Sequence, residues 1–186
     1  MSNCAVAPSV WTRIEITPKH WAAGKAHLQG SDRGRLEKFG DQELGFAAEH
    51  AVADWFDSMG VDHNHDPDPR GTNPDFTING LTIDLKSVSS KGSPRRDYDA
   101  NLAERQRLKD GSKVDWYLFG KYDNTTPGDY YILGFQTGEV ITRDGVYYNK
   151  GETTRKYMTA PCDCWCIQYG QLIEPMAWVW EQADDF

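Results

Sequence analysis

Hydrophobic and polar residues alternate most regularly over residues 75–88, DFTINGLTIDLKSV. The run reads as two strands, 75–78 and 81–88, joined at Asn79-Gly80, because Asn-Gly between alternating runs is the strongest short-range hairpin signal. Strand side chains alternate, so Leu81, Ile83 and Leu85 take one face of the second strand and Thr82, Asp84 and Lys86 the other. Asp75 stands at the mouth of the first strand, level with the Asp84 to Lys86 end of its partner. Upstream the period changes to a helical one over 42–59, QELGFAAEHAVADWFDSM, closed by Gly60. Glu43, His50, Asp54 and Asp57 form its wet face. Glu49 lies off that stripe, with Phe46, Ala53 and Phe56 on an otherwise apolar face. A carboxylate there either reaches water at the edge of the face or requires a partner or a cation, since an unpaired buried charge is too costly to keep.

The remaining elements are shorter. Thr17 caps a helix with Pro18 in its first turn, and a second helical piece is expected over 32–39, closed by Gly40. Trp11, Trp21 and Phe39 are expected to dock on a core rather than stack on bases. Residues 61–65 form a short strand before the turn-rich DPDPRGTNP. His63 and His65 would share a face there, as metal ligands do, but without a third matching ligand they read as loop-mouth residues near a substrate. Residues 89–94 read as a loop, 97–109 as a helix carrying Arg105, Arg107 and Lys109, and 114–122 and 130–136 as buried strands. A polar loop over 143–155 and an apolar run over 173–180 follow. The order is helix, three strands, helix, strand, which is an α/β core. It divides one domain into an N-terminal helical extension (1–41), a core (42–136) and a C-terminal addition (137–186).

A chain of 186 residues is long enough for one domain with a full core. There is no run of 18 apolar residues and no basic-then-apolar leader, so a soluble cytoplasmic protein without membrane contact is expected. Of the four cysteines, Cys162, Cys164 and Cys166 would share one face of a strand and read as reduced, packed thiols. A soft-metal site there is the lesser alternative. The net charge of −8 argues against a nucleic-acid partner until its distribution is considered. Residues 41–84 carry ten acids and one base, and residues 85–113 carry eight bases and four acids. Carboxylates beside a basic segment suit a cation-dependent phosphodiester site, with Lys91, Arg95 and Arg96 placed to meet phosphates because their loop leaves the acidic strand directly. Taken alone, Asp84 and Lys86 would be a same-face ion pair worth at most about 1 kcal/mol.

Pro74-Asp75, a spacer of eight residues, and Asp84-Leu85-Lys86, preceded by Glu49 on a helix, resemble the PD-(D/E)XK nuclease superfamily. The likeness covers about 42–122, and the later strands with the Lys150-Gly151-Glu152 loop resemble its small phage-borne members. It implies an αβββαβ restriction-endonuclease-like core, with a mixed central sheet flanked by helices. It also implies a catalytic set of Glu49, Asp75, Asp84 and Lys86. Asp75, Asp84, the Leu85 backbone carbonyl and Glu49 would hold Mg²⁺ or Mn²⁺, hard ions that take oxygen ligands. Lys86 would orient or deprotonate the attacking water, and Gln106 would assist at the substrate phosphate.

The expected function is therefore a Mg²⁺-dependent deoxyribonuclease in phage DNA processing, recombination or degradation, acting in the host cytoplasm, with a homo-oligomer compatible. A silent DNA- or protein-binding module on the same fold is the alternative.

Overall fold

The Asn79-Gly80 turn folds as its sequence predicts. Asn79 (φ 51°) and Gly80 (φ 80°) both take positive φ, as a two-residue type I′ turn requires. They join β3 (Phe76–Ile78) to β4 (Leu81–Ser90), with Phe76 opposite Ile83 and Ile78 opposite Leu81. The computed structural model describes residues 11–29, 39–67, 73–110, 113–156 and 158–183.

Around this hairpin runs a mixed six-stranded sheet. β6 (Trp116–Asp123) lies parallel to β4, and β7 (Asp129–Gln136) lies antiparallel to β6. β1 (Thr12–Glu15) closes one edge on β7, and the short β2 (Asn64–His65) closes the other on β3. A second, three-stranded antiparallel sheet has β9 (Cys164–Gln168) between β5 (Asp99–Ala103) and β8 (Val146–Tyr148). The helices are α1 (Pro18–Gln29), α2 (Phe39–Ser58), α3 (Glu104–Asp110), α4 (Gly138–Asp144) and α5 (Pro175–Ala183). Among the described residues no helix is long and apolar enough to cross a membrane.

Each face of the large sheet has its own core. On one, Ala47, Ala51, Val52 and Phe56 of α2 meet Phe76, Ile83, Leu85, Leu118 and Ile132. Trp178 of α5 joins them, stacked on Phe135 at 4.1 Å between ring centroids. On the other face Tyr117, Phe119 and Leu133 meet Leu102, Ile167 and Ile141. His20 ties α1 to α2: its Nδ1 accepts from the Thr17 N–H at 3.0 Å, and its Nε2 donates to Asp54 at 2.9 Å. Trp11 and Trp21 pack against the two cores, as expected of docking rather than base-stacking aromatics.

Several expectations change. The helix expected over 97–109 is shortened to α3, because Ala100 and Leu102 alternate into the second core and residues 99–103 pair with β9. β4 runs on to Ser90, into the expected loop, by pairing with β6 as far as Asp123. The strand at 61–65 shrinks to two residues. Thr12–Glu15 joins the main sheet instead of a helical extension, assisted by Arg13 donating to Asp129 at 2.5 Å. In the C-terminal third, Thr137 caps α4 by accepting from the Val140 N–H. The helical piece expected before residue 39 lies outside the described residues, and Phe39 opens α2.

One close approach shapes the sheet beside the acidic residues. Gly120 lies opposite Ser87 across the β4–β6 ladder. The Tyr130 ring crosses Gly120, so a side chain there would collide with its hydroxyl. The hydroxyl thereby meets Ser87 Oγ at 2.6 Å.

Candidate active site

The hairpin ladder stops at the expected acid. A two-residue turn makes Ile78/Leu81 and Phe76/Ile83 the pairs that exchange hydrogen bonds, so the next exchanging pair would be Pro74/Leu85. Proline has no N–H to give. The missing donor would have served the Leu85 carbonyl, and the Leu85 N–H is taken by the Asp75 side chain, which accepts from it at 2.7 Å. In a strand the N–H and C=O of one residue point to the same side, so the Leu85 carbonyl faces the breach that Asp75 occupies.

Burial of the Asp75 carboxyl, reinforced by the negative charge of Glu49, pushes its pKa up to about 7. Lys86, the Leu85 N–H and His65 pull the other way. Asp75 thus feels Glu49 and Lys86 as its strongest charged neighbours. Glu49 acts on it from α2, off a face whose Phe46, Ala53 and Phe56 are buried as the sequence requires. Glu49 Oε2 lies 3.7 Å from His65 Nε2, both side chains being little exposed.

Asp84 and Lys86 do point the same way. Ile83 and Leu85 face α2, whereas the Lys86 ammonium lies 5.8 Å from the centroid of the Tyr117 ring, in the core of the opposite face. There it contacts Asp84 Oδ2 directly. Asp84 is therefore engaged by Lys86 on one face, while on the α2 side Glu49 lies against His65 and acts on Asp75 through its charge. Among the described residues no three His, Cys, Asp or Glu side chains converge closely enough to hold an ion as they stand.

Of the phosphate-contact candidates, Lys91, Arg95 and Arg96 are exposed on the segment leaving β4. Arg95 is drawn to Asp97 at 3.4 Å and lies over the Tyr98 ring. Gln106 is half-buried on α3, which packs on β5 and β9. The thiols are free: Cys164 and Cys166 are buried with Sγ atoms 3.9 Å apart, and Cys166 donates to Asn101 at 3.1 Å. Burial pushes the Cys166 thiol pKa up, away from the thiolate that binds soft metals.

Sequence reasoning missed four residues here. The buried Tyr130 and half-buried Ser87 form a hydroxyl pair near Glu49 and Asp75, whose charges, after burial itself, raise the Tyr130 pKa. Lys121, fully buried on β6, donates to the Ser90 carbonyl at 3.2 Å and to that of Gly92, while Asp123 accepts from the Gly92 N–H at 2.9 Å. These contacts anchor the chain just where the basic segment begins. A lysine in an apolar strand is the one signal that could have found them. Compared with known proteins, the chain matches no family model, no curated protein and no solved structure.

Proposed function

We propose that the protein is a divalent-cation-dependent nuclease that hydrolyses phosphodiester bonds in DNA, with Glu49, Asp75, Asp84 and Lys86 as its site. The observation that carries this reading is Asp75 filling the breach between β3 and β4, with Glu49 and Lys86 acting on it from α2 and β4. Support also comes from the order α2, β2, β3, β4, α3, β6, which follows the core of the PD-(D/E)XK nucleases with β5 as one additional strand. The donor set suits Mg²⁺ or Mn²⁺, because the carboxylates and the Leu85 carbonyl are hard oxygen ligands. The elevated pKa of Asp75 marks surplus buried negative charge that a cation would offset.

Such an ion, when bound, supplies a nucleophilic water near neutral pH and neutralises charge at the scissile phosphate. Asp75, Glu49 and the Leu85 carbonyl would hold it, with Asp84 completing the set once Lys86 turns from its carboxylate to the substrate. Lys86 then orients the attacking water and offsets phosphate charge. Lys91, Arg95 and Arg96 receive the flanking phosphates.

The test is incubation of linear and circular DNA with Mg²⁺, Mn²⁺ or EDTA. Cleavage is expected only with metal, and Asp84→Ala and Lys86→Ala should each lower its rate by about 10²-fold or more. Cleavage unaffected by EDTA, or retained by both variants, overturns the proposal. The Lys86–Asp84 contact favours a second reading, a binding module in which the amine permanently neutralises the acid. That reading expects salt-dependent DNA binding and no turnover with any metal.

A further inference from the structure

We propose that Lys156 is a phosphate contact, so that the tip of a hairpin over residues 149–160 and the basic segment after β4 grip the DNA backbone together. The inference rests on the nuclease reading above and concerns how that site holds its substrate.

The first half of this surface is fixed in place. The carbonyls of Arg96 and Tyr98 accept from the N–H groups of Gly170 and Tyr169 at 3.0 and 2.8 Å, while Lys121 and Asp123 hold Gly92 at the other end. Pro94 between them is buried, whereas Lys91, Arg95 and Arg96 are exposed. A segment held at both ends loses little freedom when a ligand arrives, so its cations are preorganised.

The second half comes from far along the chain. Residues 149–160 fold back on themselves, the Gly151 N–H donating to the Ala160 carbonyl at 2.9 Å and the Thr154 N–H to that of Met158 at 2.8 Å. At the tip Arg155 is committed to the little-exposed Asp99, donating from Nε at 2.8 Å. Lys156 lands elsewhere. Its Nζ donates to Asp97 at 2.6 Å, and the same carboxylate draws Arg95 to 3.4 Å. Lys156 above all, then Arg95, holds the Asp97 carboxyl below the usual carboxylate range. Asp97 thus sets side by side two cations that the sequence keeps apart. Its side chain is 47% exposed, and an ion pair so open to water is weak. An ammonium and a guanidinium each carry more donors than one carboxylate engages, so both keep some for a phosphate.

Charge selects the partner. Residues 91–99 and 155–156 carry five bases and two acids in a chain whose net charge is −8. A polyanion complements such a patch, and DNA is the polyanion that the acids of the adjoining β4 would cut.

Fluorescence anisotropy of a labelled duplex across a salt series, in EDTA, tests this apart from cleavage. Lys156→Ala should reduce the slope of log K against log salt by about 0.9, the value for one phosphate, and Lys156→Arg should keep the wild-type slope. Asp97→Asn leaves both cations, so its slope and affinity should be no lower than wild type. Lys19→Ala removes the same charge from the exposed face of α1 and should leave the slope unchanged. Circular dichroism checks that each variant is folded. An unchanged slope in Lys156→Ala overturns the inference. So does an equal fall in Asp97→Asn, which would make Lys156 only a tether for the hairpin, or in Lys19→Ala, which would make the effect one of net charge. Each of these leaves the nuclease reading standing where Mg²⁺ or Mn²⁺ still supports cleavage. Wild type that does not bind DNA also overturns the inference, and the nuclease reading with it if cleavage is absent too.

Discussion

Asp75 shows how a single side chain can carry a pH signature for its whole surroundings. Its carboxyl titrates near 7 in the folded protein against 3.8 for the free group. The fold therefore favours the protonated form, and the stability this contributes is fully present below the free value and lost as pH rises through about 7. His50 acts at the other end: burial and neighbouring histidines push it down from 6.5 to about 4. Its contribution is present above the free value and lost as pH falls towards 4. In EDTA, the melting temperature should fall between pH 6 and 8, and Asp75→Asn should flatten that fall. Mn²⁺ should restore wild type above pH 7 but not the variant. Circular dichroism melts across pH check this, and an Asp75→Asn profile that still falls would show that the slope arises elsewhere.

At the scale of elements, β4 carries the proposed site, and two different constraints fix its pairing. Its hairpin side is fixed by the turn, and its other side by the parallel ladder to β6, where Gly120 leaves room for Tyr130 to reach Ser87. Gly120→Ala should destabilise by about 1–3 kcal/mol, because the fully buried tyrosine has nowhere to move. Tyr130→Phe in the same chain should recover part of that loss, a coupling that chemical denaturation of the single and double variants would measure. If Gly120→Ala unfolds at the wild-type midpoint, the close approach carries no strain.

The hairpin and α2 were legible in the sequence because local rules decide them: a two-residue turn, alternation, and a helical period with one acid out of place. β5 and β1 were not. Their short alternating runs, Asp99–Ala103 and Thr12–Glu15, become strands only by pairing with residues far along the chain. His65 was read as a loop residue for the same reason, since only the fold brings Glu49 to it.

For the whole molecule, the uneven charge matters more than its sum. A net charge of −8 opposes a nucleic-acid partner, so the proposed DNA contact would depend on the basic segment that follows β4. Lys121 and Asp123 fix where that segment starts. Replacing Lys91, Arg95 and Arg96 together by alanine should reduce the slope of log K against log salt by about 0.9 for each phosphate no longer neutralised. Fluorescence anisotropy in EDTA, where no cleavage competes, would measure it. An unchanged slope would place the DNA elsewhere on the surface.

The pairing of β1 with β7 has a consequence for how the chain folds. Thr12 and Ile132 must find each other across most of the sequence, and closing so long a loop is slow compared with forming a helix or a hairpin. Glu49, His65, Asp75 and Asp84, by contrast, lie within neighbouring elements early in the chain. On that ground the negative charges of the three acids are expected to gather before the outer edge of the sheet and α5 arrive to seal the apolar side. A divalent ion in the refolding buffer should therefore speed the early phase and leave the late one unchanged.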